Sequence, residues 1–270
     1  MQPIQYQHHP GVSQSQLKTL KESPRRYQAI YVTRTLCTET SDAMDFGSLV
    51  HAVVLQPHKI AEEFVCIPSS VLTSNGQRRG KAWEQFVEDN PGKHMMFAED
   101  FDRALVIQSK VLEHPFYDLV MDWTEHVEIP IAWTDEQTGV LCKGIPDIVC
   151  KNEWVIDIKT TNDLTGFIQG KEKLTSTKIA DFGYHLQGAF YLGGASACYG
   201  RQFTRFALIV VETRQPYRVY AMEIDEQSLF AGRMQVTQLL EEYQRRMKHD
   251  DWSEEGEKSL LQVSIPSWAM

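Results

Sequence analysis

Asp147, Asp157 and Lys159 are the residues through which this chain could do chemistry, and all three fall in one stretch, GIPDIVCKNEWVIDIKTT, at 144–161. The pattern predicts two short strands, Gly144–Cys150 and Trp154–Lys159, joined by the turn-type residues Lys151, Asn152 and Glu153. Side chains alternate along a strand, so Asp157 and Lys159 share one face and Ile156 and Ile158 the other. Hairpin pairing would bring Asp147 beside Asp157, so that two carboxylates and an ammonium converge at the end of an apolar sheet. Such a set suits a hard divalent cation, which takes oxygen ligands, with a cationic group beside the water it activates. An ordinary strand with an exposed same-face ion pair would use the same residues. Against that stands the run WVIDIK, where an ionised group is costly unless paired or metal-bound. Pro146 breaks the upstream strand directly before Asp147, as a bulge or strand end would.

The elements that must position these residues are legible in turn. Ser13 or Ser15 can cap a helix carrying Leu17 and Leu20, ending before Pro24. A second helix, from about Pro24 to Thr33, carries Tyr27, Ile30 and Tyr31 on one stripe; Thr38–Asp42 reads as loop. DAMDFGSLVHAVVLQP predicts a helix with a wide buried face, stopped at Pro57. Its His51 is either a core histidine or a metal ligand or proton carrier. Gly47, one turn away, would let another backbone approach. A polar stretch at Ser69–Gly80, a short helix at Trp83–Val87 and a helix over Glu99–Leu112 follow, the last stopped before Pro115. The sheet is expected to begin with a strand over Val127–Trp133, a turn over Asp135–Gly139 and a long strand from Val140. Asn162–Phe182 reads as a lysine-bearing loop with a short helix. YHLQGAFYLGGASACYG then forms a small-residue helix with Gln187 and Tyr191 on one face. Strands at Arg205–Val211 and Tyr217–Ile224 precede a long amphipathic helix through Leu229, Val236, Leu240, Tyr243 and Met247.

Composition limits the function classes. With 42% hydrophobic and 23% charged residues among 270, the chain is an ordinary globular protein with ample material for a core. It has no apolar run near membrane-spanning length and no secretory leader in MQPIQYQHHPGVSQSQ, so no membrane association and a cytoplasmic location are expected. Five widely spaced cysteines with no CxxC or Cys/His cluster argue against zinc and iron–sulfur sites and read as reduced thiols. The net charge of −9 argues against indiscriminate nucleic-acid binding but not against a local basic groove. Arg25-Arg26, Arg78-Arg79 with Lys81, and Lys171, Lys173 and Lys178 are the candidate patches.

The assembled order carries a family resemblance. GIPD, then VIDIK, then YHLQGAFY resemble the PD-(D/E)xK nuclease superfamily in its RecB-like branch. That branch places a histidine on an upstream helix and a Q-x-x-x-Y helix after the catalytic strand. VSQSQLKTLKESPRRY and FGSLVHAVVLQP are similar, more narrowly, to the nuclease domain of RecE-type exodeoxyribonucleases, and the resemblance spans about Gly11–Lys248. Asp157 stands where the broad family has Glu more often, a departure that RecE-type members share.

The resemblance implies an α/β PD-(D/E)xK nuclease fold, a central mixed β-sheet flanked by helices, as one nuclease domain over 1–270. A helical part would span about 11–115, the sheet and catalytic core about 125–248, and a polar tail 250–270. It implies that His51, Asp147, Asp157 and the main-chain carbonyl of Ile158 bind Mg²⁺ or Mn²⁺. Lys159 would orient or deprotonate the attacking water, while Gln187, Tyr191 and Thr160 support the ligands or contact DNA. It further implies a Mg²⁺-dependent exodeoxyribonuclease acting on double-stranded DNA ends, 5′-to-3′, leaving 3′ single strands for recombination. A homo-oligomer, in the form of a ring-shaped tetramer, and a single-strand annealing protein are the implied partners. A related RecB-like endonuclease or helicase-associated nuclease, and a catalytically silent DNA-binding module, are the alternatives.

Overall fold

The structure is a computed structural model that describes residues 6–37, 41–170, 175–254, 256–257, 260 and 262–264. Its helical first part opens with α1 (Gln14–Glu22), capped by Ser13 in a capping box with Gln16, and α2 (Pro24–Tyr27). The expected helix to Thr33 is realised differently. From Gln28 the ladder loosens, and Thr33 N–H donates to the Gln28 carbonyl five residues back. Ser41 caps α3 (Asp42–Leu55), so Asp42 lies in the helix rather than in a loop; residues 38–40 of that expected loop lie outside the described residues. After α4 (Ile60–Glu63) comes β1 (Phe64–Cys66), then α5 (Lys81–Asp89) and β2 (His94–Met96). The two strands, absent from the sequence reading, form a small parallel ladder. Next are α6 (Ala98–Leu112) and α7 (Pro115–Trp123). Pro115 stops one helix as expected and also starts another, its fixed φ suiting a first helical turn.

The expected strand over Val127–Trp133 divides into β3 (Thr124–Val127) and β4 (Ile131–Thr134), which belong to different sheets. The expected long strand from Val140 through Cys150 likewise divides, into β5 (Leu141–Gly144) and β6 (Ile148–Cys150). Each break holds a proline, Pro130 and Pro146, which cannot donate to a ladder. β4 and β5 pair as a separate hairpin. β7 (Trp154–Thr161), α8 (Thr177–Asp181), α9 (Tyr184–Tyr199), β8 (Arg205–Glu212), β9 (Val219–Ile224) and α10 (Glu226–His249) complete the chain. The main sheet runs β3-β6-β7-β8-β9, with β7 and β8 parallel and the other pairs antiparallel, a mixed sheet flanked by helices.

β7 is apolar along most of its length because both its faces are covered. Ile156, Ile158, Ile209 and Val211 pack under α3, α6 and α7 through Leu49, Val53, Ile107 and Val120. Val155, Phe206, Leu208 and Val210 pack on the other face with Leu192 and Ala195 of α9 and Leu229 of α10. Each such buried side chain stabilises the fold by about 1.5–3 kcal/mol relative to exposure. Glycine brings α9 close to the sheet, for a Cβ at Gly188 would stand 2.5 Å from the Phe206 ring. Beyond α10 the chain is not wholly a free polar tail, since Trp252 is buried and stacks on Tyr27 at 5.3 Å. Among the described residues no helix is long and apolar enough to cross a membrane.

Candidate active site

The site forms where the sheet ends unevenly. β3 and β6 stop at Val127 and Ile148, whereas β7 continues, paired with β8, to Thr161. Extending the β6–β7 register from Ile148 opposite Ile156 places Pro146 opposite Ile158 and Asp147 opposite Asp157. A proline has no N–H to give to the Ile158 carbonyl. The Ile158 N–H donates to Asp147 Oδ2 at 2.6 Å, and the His51 imidazole of α3 lies near the Ile158 backbone. The strand break thus turns Ile158's backbone toward the site.

Asp157 and Lys159 share a face of β7, as the alternation requires. Asp157 is 1% exposed, and its Oδ2 faces the Lys159 ammonium in an ion pair. Its Oδ1 accepts from Gln187 Nε2 at 2.8 Å. Gln187 is buried, and Tyr191 lies one turn along α9, its hydroxyl pushed well above its ordinary value by burial. Gln187 thus supports Asp157 from α9. Thr160 lies on the Ile158 face and abuts α3. Its hydroxyl would be 3.1 Å from a Cβ at Gly47, so the close approach expected at Gly47 is made by a side chain and not a backbone.

His51 Nδ1 lies 3.5 Å from Asp147 Oδ2 and 3.9 Å from Glu128 Oε1. One donor atom from each of His51, Glu128 and Asp147 lies within 4.8 Å of the others. Asp157, expected with His51 and Asp147 in the ligand set, stands outside this closest group because Gln187 and Lys159 hold its two oxygens. Glu128 was not foreseen. Its N–H donates to the Asp147 carbonyl at 2.9 Å, and its φ is +48°. A left-handed backbone costs a non-glycine residue about 1–2 kcal/mol, and strain of this kind concentrates at functional sites. The sequence held one signal for it: Glu128 shortly precedes Pro130 at a strand break, as Asp147 follows Pro146.

The electrostatics are those of crowded, buried acids. Burial pushes the Asp147 carboxyl well above its ordinary range, and repulsion from Asp157 adds to it. Burial, then Asp147, also pushes Glu128 up. Burial and the Lys159 charge hold His51 below the usual imidazole value. For Lys159 burial pulls the ammonium down, but the carboxylates of Asp157 and Asp147 outweigh it and the net shift is upward. The ammonium also lies 5.2 Å from the centre of the Tyr184 ring.

A divalent cation fits this set. Imidazole nitrogen and carboxylate oxygens are ligands for Mg²⁺ or Mn²⁺, and a dication would relieve repulsion among the acids. Asp157 Oδ2 is buried without a hydrogen bond, its ion pair with Lys159 aside.

A family model described as a PDDEXK-like domain of unknown function (DUF3799) matches residues 13–261. Among solved structures, a candidate exonuclease from Eubacterium rectale is similar over 98% of this chain and 97% of its own, at 15% identity and a TM-score of 0.61. That likeness is one of fold. An alkaline exonuclease from Laribacter hongkongensis is similar over 75% of this chain and 95% of its own, at 14% identity and a TM-score of 0.32, too low to argue from. No curated protein sequence matches the chain.

Proposed function

The chain belongs to this PDDEXK-like family, and on that premise we propose that it is a metal-dependent nuclease hydrolysing DNA phosphodiester bonds. The observation that carries the reading is the meeting of Asp147 and Asp157 across β6 and β7, with Lys159 on the Asp157 face and His51 and Glu128 at the same sheet end. His51, Glu128 and Asp147, with Asp157 and the Ile158 carbonyl beside them, would hold Mg²⁺ or Mn²⁺. When bound, the cation supplies Lewis-acid polarisation of a phosphoryl oxygen and a more acidic water. Lys159, kept as an ammonium by its acidic neighbours, orients the attacking water and stabilises charge growing on the phosphoryl oxygens. Gln187 fixes the Asp157 carboxylate, so that Lys159 has a defined partner.

The finer reading is of the RecE type: digestion of linear duplex DNA from its ends, 5′-to-3′, leaving 3′ strands that a single-strand annealing protein would use. An acidic chain with small, separate basic patches gathers little positive charge as a monomer. Several copies around the duplex, as in a ring-shaped tetramer, would join those patches into one channel. End-labelled linear and covalently closed circular duplexes, each incubated with Mg²⁺ or with EDTA, test this reading. Linear DNA should be shortened from 5′ ends only with metal, circles should survive, and the protein should sediment well above its 31.0 kDa chain mass. Digestion in EDTA would sink the metal mechanism. Nicking of circles by a monomer would replace the exonuclease with an endonuclease.

A further inference from the structure

Between α8 and α9 the chain turns through Gly183, whose φ of +68° is a left-handed conformation open to glycine without steric cost. The turn leaves the preceding residue, Phe182, 39% exposed. A singly exposed phenylalanine needs no explanation by itself. Phe182, however, has two cations near it, one four residues back in α8 and one from a distant part of the chain. Lys178 Nζ of α8 lies 5.4 Å from its ring centre, and Lys18 Nζ of α1 lies 5.8 Å from it. Among the described residues neither ammonium has a carboxylate within 4.0 Å, although the Lys178 charge is felt by Asp163, whose carboxyl its Thr165 hydrogen bonds chiefly hold below the usual range. The ring of Phe182 also lies 5.5 Å from that of Tyr184, tilted by 44°. Tyr184 is the ring beside the Lys159 ammonium, at 5.2 Å. A partly exposed aromatic ring, two cations and the Lys159 ammonium therefore form one chain of contacts.

We infer that Phe182 is a stacking platform for an unpaired nucleobase next to the reacting phosphate, with Lys18 and Lys178 holding the flanking phosphates of the same strand. The inference rests on the nuclease reading for its substrate and adds the state of that substrate. A base inside a duplex has both faces covered by its neighbours, whereas an unpaired or terminal base offers one to a protein ring. An ammonium 5.4 or 5.8 Å from a ring centre keeps protons free for phosphate, so ring and cations can serve adjacent parts of one nucleotide. The strand would then enter the site frayed from its complement.

The test is a binding measurement in EDTA, which is independent of turnover. A fluorescein-labelled single-stranded DNA oligomer and its abasic counterpart are titrated, by anisotropy, against the unmutated protein, Phe182→Ala, Phe182→Leu and Phe182→Trp. The unmutated protein and Phe182→Trp should prefer the base-bearing oligomer by roughly tenfold or more, as aromatic stacking on a base gives. Phe182→Ala and Phe182→Leu should lose that preference while holding the abasic oligomer equally well. Leucine keeps an apolar side chain at the position, so a folded non-aromatic variant is available even if alanine perturbs the turn. The double variant Lys18→Gln, Lys178→Gln should weaken both oligomers alike and flatten the logarithmic salt dependence by about 1.4, two single-strand phosphate contacts. Unchanged base preference in Phe182→Leu would overturn the inference. A base preference that depends on Phe182 in a protein that cuts no DNA would leave the platform standing and remove the nuclease reading instead.

Discussion

Lys159 and Glu128 have different proposed roles at one sheet end, and substitution can separate them. In the proposed mechanism the Lys159 charge acts on the water and on the developing phosphoryl charge, so Lys159→Gln should retain metal and DNA binding. Its turnover should fall by roughly a hundredfold or more, the range of a lost proton-transfer or charge-stabilising group. Single-turnover kinetics at saturating metal check this; a normal rate there would move the role elsewhere. Glu128 sits in the closest donor group, so Glu128→Gln should weaken Mn²⁺ binding by at least about tenfold in calorimetric titration. Unaltered affinity would mean that its strained backbone serves another purpose. Asp147→Asn removes one of two opposed buried carboxylates. The metal-free protein should therefore melt higher than the unmutated one, while the rise in melting temperature on adding Mn²⁺ disappears. A metal-dependent rise as large as in the unmutated protein would exclude Asp147 as a ligand.

At the scale of elements, the site depends on how closely helices approach the sheet from both sides. α9 presents Gln187 to Asp157 from one layer, and α3 presents His51 and leaves room for Thr160 at Gly47 from the other. Gly188 follows Gln187, and its missing side chain is what seats the Phe206 ring beneath the helix. Gly188→Ala should cost about 1–3 kcal/mol, because overpacking outweighs the better helix propensity of alanine. Urea denaturation measures the stability. A shift of Gln187 should also weaken activity in the folded variant, and full stability would show that Phe206 can move aside without penalty.

For the molecule as a whole, the segment after α10 closes the structure back onto its beginning. Trp252 covers Tyr27, Arg246 donates to the Asp251 and Ser253 carbonyls, and Arg25 pairs with Glu257. The buried tryptophan dominates this contact, since the Arg25 pair is exposed and such pairs contribute little. Trp252→Ala should therefore destabilise by about 3–5 kcal/mol, while Arg25→Ala stays within about 1 kcal/mol. Equal losses in thermal denaturation would mean that the tail is held by charge instead.

Local periodicity sufficed for much of this protein. The helices α1, α3, α9 and α10, the same-face placement of Asp157 and Lys159, and the nearness of Asp147 all follow from spacings within single segments. A helix face or strand face is set by neighbours a few residues apart. Other features depended on contacts that no single segment encodes. Whether residues 124–134 form one strand or two was decided by which sheet each half joins. Glu128 reached the site only through the left-handed turn at that division. Asp157 could be read as a carboxylate but not as one already held by Gln187 and Lys159, because that depends on the depth at which α9 crosses the sheet. The sequence determined which chemical groups the chain carries and which face of its own element each occupies. Tertiary structure decided which carboxylates come together at the sheet end, because long-range packing sets the few ångströms between donor atoms.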